Sequence, residues 1–180
     1  MARHSGILSA LVVAAAVAAP SLAGAQVSQI GHGRNVGLGL VFGWPNVGLG
    51  LNAFISNLNS IQVDLTWSYR NAHGYFGARG DFLFWMPRIT SSSALDLRWY
   101  LGPGINLGVV NGLYSRPDGK HPEDGAFFLE AEMPIGLALQ FKFPLDVTLE
   151  AIPRLFIVDS SLGAYLGLDL AAAVNVRYYF

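Results

Sequence analysis

Charged residues in this chain keep to one side of an alternating pattern. Five segments carry two charges each: Arg79 and Asp81, Asp96 and Arg98, Glu130 and Glu132, Glu150 and Arg154, Asp169 and Arg177. In every pair the two residues are an even number of positions apart. Side chains of an extended strand alternate between faces, so each pair shares a face, an agreement that random placement gives about once in 32. The residues between them are uncharged: Ile61, Val63, Leu65, Trp67 and Tyr69 alternate with Gln62, Asp64, Thr66 and Ser68. In the same way Leu95, Leu97, Trp99, Leu101, Ile105, Leu107 and Val109 alternate with Asp96, Arg98, Tyr100 and Asn106. A strand with one wholly uncharged face can stand against lipid, where a charge near the midplane costs about 2–4 kcal/mol.

The pattern predicts strands near 35–43, 46–55, 60–69, 74–85, 94–110, 126–141, 146–157 and 164–180, with turn residues between them. No segment shows a helical period, and no linker divides the chain. The expected fold is all-β, an eight-stranded antiparallel up-and-down transmembrane β-barrel over residues 26–180. A soluble barrel with its apolar face inward also alternates, and composition separates the two. Only 13% of residues are charged, and lysine occurs only at 120 and 142. Soluble surfaces carry roughly 25–35% charged residues. The polar face is instead rich in glycine, at 37, 39, 48, 50, 102, 104, 108, 136 and 167. Lys and Arg number 11 against 12 Asp and Glu, which leaves no basic footprint for nucleic acid. With no cysteine there is neither a disulfide framework nor a thiolate site.

Residues 1–25 read as a secretory signal peptide. Arg3 gives a basic start, Ile7 to Ala19 is apolar apart from Ser9, and Ala23-Gly24-Ala25 has the small-x-small form of a cleavage site. Thirteen residues of helix reach only about 20 Å, short of roughly 30 Å of hydrocarbon. The expected location is the bacterial outer membrane, with lipid, lipopolysaccharide and the barrel-assembly machinery as partners.

Several motifs bear a family likeness: Gly37-Leu38-Gly39-Leu40, Gly80-Asp81-Phe82-Leu83, Pro134-Ile135-Gly136-Leu137, Pro144-Leu145-Asp146-Val147 with Glu150 and Pro153, and Val176-Arg177-Tyr178-Tyr179-Phe180. Over about 34–180 the chain resembles a bacterial domain of unknown function related to the OmpX-type small barrels, themselves akin to OmpA. The resemblance implies the barrel and its location and brings no catalytic residues. Val174, Val176, Tyr178 and Phe180 resemble the closing strand by which such barrels are recognised for assembly.

Candidate sites follow from the same parity. The inward charges are predicted to be Asp64, Arg79, Asp81, Asp96, Arg98, Glu130, Glu132, Glu150, Arg154, Asp169 and Arg177. An eight-stranded barrel is just wide enough for side chains to fill, so these groups are expected to interlock as a plug. An excess of three acids also suits a narrow cation-preferring channel. Loop 111–125, with Arg116, Asp118, Lys120, His121, Glu123 and Asp124, is the expected external recognition surface. Its acids match no EF-hand spacing, so no metal or other cofactor is expected. A lipid-modifying enzyme would need a histidine close to a serine nucleophile. His32, His73 and His121 stand apart in sequence from Ser160 and Ser161, so no catalytic residue is assigned. Phe82, Phe84, Trp85, Trp99, Trp67, Tyr178 and Phe180 read as lipid-face or interfacial aromatics. The expected role is therefore structural, or surface interaction through the external loops.

Overall fold

Eleven strands form one antiparallel sheet in the computed structural model, which describes residues 33–43, 46–68, 74–110, 126–159 and 165–180. They are β1 (Val36–Gly43), β2 (Asn46–Phe54), β3 (Asn59–Ser68), β4 (Tyr75–Trp85), β5 (Thr90–Ser91), β6 (Leu95–Leu101), β7 (Gly104–Val110), β8 (Ala126–Glu132), β9 (Ile135–Phe141), β10 (Leu145–Asp159) and β11 (Tyr165–Tyr179). No helix occurs among the described residues. The signal-peptide reading of 1–25 and the loop reading of 111–125 both fall outside them.

Ten of the eleven strands amount to eight runs. Both β6 and β7 pair with β4, and both β8 and β9 pair with β10, so each couple lies end to end. Two of the eight expected strands are therefore interrupted, one at Pro103 and one at Pro134. Proline has no N–H to give to a ladder. The ladder bridges the gaps through carbonyls: Phe82 N–H donates to Pro103 O at 3.0 Å, and Gly102 N–H to Pro134 O at 3.2 Å. The remaining strand is β5, which pairs with β6 inside the stretch expected to be a turn at 86–93.

The circuit of pairings closes, because β11 pairs with β10 on one side and β1 on the other. Starting at Arg177 of β11, the residues opposite one another are Gly39, Gly50, Asp64, Arg79, Asn106, Glu130, Phe156 and finally Gly167, again on β11. One passage round the sheet thus moves ten residues along β11.

Alternation sets the two faces. On β9 the pattern runs Ile135 exposed, Gly136 buried, Leu137 exposed, Ala138 buried, and so on to Gln140. The exposed face carries Leu38, Leu40, Leu49, Ile105, Leu107, Leu129, Leu137, Leu155 and their neighbours, and Val174, Tyr178 and Phe180 join them there. Aliphatic and aromatic residues are most often buried. Here they cover the outside, and charge fills the inside.

Candidate functional site

The buried face is packed in tiers. Strand ends joined by 55–58, 86–94 and 142–144 define a near end; Gly43, Ser68, Tyr75 and Val110 mark the far end. Nearest the turns lies an aromatic tier of Phe54, Leu83, Trp85, Tyr100, Ala138 and Tyr179. Trp85 and Tyr100 have ring centroids 4.6 Å apart, and Trp85 and Phe54 5.0 Å. Glycine makes the room: a Cβ on Gly136 would collide with the Tyr100 ring. This corrects the interfacial reading of Trp85, which is only 2% exposed. It shares parity with Arg79 and Asp81, and its indole N–H donates to Ser60 Oγ at 2.8 Å, so the ring can be buried without stranding a donor. Phe82, Phe84, Trp67 and Tyr178 do lie on the outer face.

Above the aromatics, two buried arginines organise the carboxylates. Arg79 Nε lies 2.6 Å from Asp81, 3.2 Å from Glu132 and 3.3 Å from Asp64, while its Nη2 donates to Glu150 at 2.7 Å. Arg177 donates to Asp146 at 3.1 Å, to Gln62 at 2.6 Å and to Thr148 at 3.4 Å. Tyr100 donates its hydroxyl to Glu150, and Tyr179 donates to Asp146 at 2.8 Å while accepting from Asn52 at 3.0 Å. Buried charges persist when paired and hydrogen-bonded, and removing one partner is strongly destabilising. Asp146 is a member that the sequence reading missed, although it shares the parity of Glu150 and Arg154.

The predicted charge set does not form one network. Towards the far end, Glu130 accepts from Asn106 at 2.6 Å and from Arg154 at 3.1 Å, and Arg154 reaches Asp169 at 2.8 Å. Asp169 keeps inward parity, yet its side chain is 51% exposed. Towards the near end, Asp96 pairs with Lys142 at 2.7 Å and Arg88 at 3.5 Å, and accepts from Ser91. Arg98 sits 5.6 Å from the centre of the Trp85 ring, a cation–π contact, instead of pairing with Asp96.

A cavity of about 60 Å³ opens above Arg79, walled by Tyr75, Asn106, Glu132, Arg154 and the small residues Gly43 and Ala171 to Ala173. It has room for several waters. Asn106 Oδ1 and Arg154 Nε beside it are buried without a hydrogen-bond partner. No group of three metal-ligating side chains occurs among the described residues. His32, His73, His121, Ser160 and Ser161 lie outside them, as do Arg116, Asp118, Lys120, Glu123 and Asp124. The arrangement can neutralise charge and block passage at its lower tiers. The far cavity has room for a small polar occupant.

No family model matches this chain, and neither does any curated protein or solved structure compared with it.

Proposed function

We propose that this chain is an eight-stranded transmembrane β-barrel of the bacterial outer membrane, plugged within and non-enzymatic, serving envelope structure or surface interaction. The observation that carries the reading is the division of its closed ladder into an uncharged outer face and a charged, ion-paired inner one. Closed ladders satisfy every backbone group in lipid, and eight strands shifted by ten residues leave an interior that side chains can fill. A plug rather than a pore is favoured because the Arg79 and Arg177 clusters stand directly on the aromatic tier. The external loops, above all 111–125, would then be the surface through which it meets a partner.

The test is planar-bilayer conductance of the refolded protein, with insertion checked by liposome flotation. The expected result is inserted protein that gives no steady openings. Openings whose cation preference is lost in the Glu130→Gln, Glu132→Gln double variant would overturn the plug and make transport the function.

A further inference from the structure

Hydrogen-bond donors outnumber acceptors where β6 and β9 meet the near-end turns. Asp96 is the hub. Lys142 Nζ reaches one of its oxygens at 2.7 Å, Arg88 Nη1 reaches the other at 3.5 Å, and Ser91 Oγ donates as well. Arg98 stands two residues along on the same face, and Gln140 lies directly opposite Asp96 on β9. Arg88 and Arg98 are near enough for their charges to repel. Asp146, the other acid beside these turns, is fully buried and already held by Arg177 and Tyr179. Three cations thus share one carboxylate, a surplus of two positive charges.

That carboxylate does not satisfy its surroundings. Arg98 and Gln140 are both more than nine-tenths buried, yet Arg98 Nε and Gln140 Nε2 have no hydrogen-bond partner. Among the described residues the Arg98 guanidinium makes only one long hydrogen bond, from Nη2 to the Met86 carbonyl at 3.4 Å. Both orphaned atoms are donors, and an unmet buried donor is costly. The far cavity is different. There an orphaned acceptor, Asn106 Oδ1, accompanies an orphaned donor, Arg154 Nε, and water can serve both. Around Asp96 the deficit is of acceptors and of negative charge together.

We propose that Arg88, Arg98, Gln140 and Lys142 form a binding site for a phosphate group, entered at the near end beside Asp96. A phosphate brings several acceptor oxygens and negative charge at once, and planar guanidinium groups match its edges. Arg88 and Lys142 are the arms of the site, with side chains 46% and 44% exposed, and an incoming anion competes with Asp96 for them. Arg98 and Gln140 are its floor, the former set against the Trp85 ring and the latter on the β9 ladder. The residues that follow the two arms, Ile89 and Phe143, are exposed and apolar, so the group can arrive on a lipid headgroup as well as free in solution. The proposal rests on the balance of donors and charge, and goes beyond the plugged-barrel reading.

The test is calorimetric titration of inorganic phosphate into full-length protein refolded in a sugar-headed detergent, with chloride at matched ionic strength as control. Saturable heat with phosphate and none with chloride is expected. The Arg88→Gln, Lys142→Gln double variant should bind at least about tenfold more weakly, while heat-modifiable migration shows the fold intact. Asp96→Asn removes the competing carboxylate and should bind about tenfold more tightly, a gain that a merely structural role would not produce. A second arm adds phosphatidylglycerol and reads the lipid retained on the intact protein by native mass spectrometry. Retention that the double variant loses assigns the phosphate to a headgroup; phosphate heat without retention assigns it to a free phosphate or phosphomonoester. Neither heat nor retention would overturn the proposal, as would equal binding by the protein and its double variant.

Discussion

The two ends of the buried face are built from different materials. Near the turns, Trp85, Tyr100 and Tyr179 are at most 2% exposed, and their polar atoms all find partners. At the far end the small residues Gly43 and Ala171 to Ala173 stand across from the stacked rings of Tyr75 and Phe128, a cavity opens, and Arg154 and Asp169 are partly wet. Both ends hold arginine–carboxylate pairs at similar distances. What differs is the cost of leaving a charge unpaired, which is several kcal/mol for a dry ion and little for a hydrated one. The dry pairs of Arg79 and Arg177, on the aromatic tier, therefore specify the packing, whereas the wetter pairs of Arg154 beside the cavity are free to rearrange.

Arg79 stands at the junction and gives the sharpest test. Arg79→Leu leaves Asp64, Asp81, Glu132 and Glu150 facing one another without their shared cation. The expected loss is about 3–5 kcal/mol, read as a lower urea midpoint for unfolding from lipid vesicles. A loss below about 1 kcal/mol would mean that water already reaches this tier, and the contrast between the ends would fail.

Tyr179→Phe probes the near end more gently. It keeps the ring and removes the hydroxyl between Asn52 and Asp146. Leaving those buried groups short of a partner should cost about 1–3 kcal/mol in the same measurement. A neutral result would show that Arg177 alone satisfies Asp146.

Much of this was legible in sequence, because period two is a direct consequence of strand geometry. The parity that joins Arg79 to Asp81 and Glu150 to Arg154 puts each pair on one face, and Arg79, Asp81 and Glu150 are buried there. The aromatic identity of Trp85 suggests an interfacial place, but its parity, four residues after Asp81, decides that it is buried. Asp146 was overlooked because it borders the 142–145 turn, where a charge usually means solvent; its register opposite Arg177 is a tertiary fact. The interruptions stand at Pro103 and Pro134, visible residues whose effect on the ladder follows from the missing N–H. Parity also cannot show where a strand outruns its neighbour. That is why Asp169, inward by alternation, is exposed on the overhang of β11.

The smallest effect comes from comparing two aspartates, each held by one arginine. Asp146 lies 3.1 Å from Arg177 and is fully buried, whereas Asp169 lies 2.8 Å from Arg154 and is half exposed. Distance alone ranks Asp169 as the stronger pair; hydration reverses the order. Asp169→Asn should therefore shift stability by no more than about 0.5 kcal/mol, a surface value. Asp146→Asn, which leaves the buried Arg177 uncompensated, should cost several times as much by the same urea titration. Equal losses at the two sites would mean that the far end is as dry as the near one, occupied by something that excludes water from the cavity below Asp169.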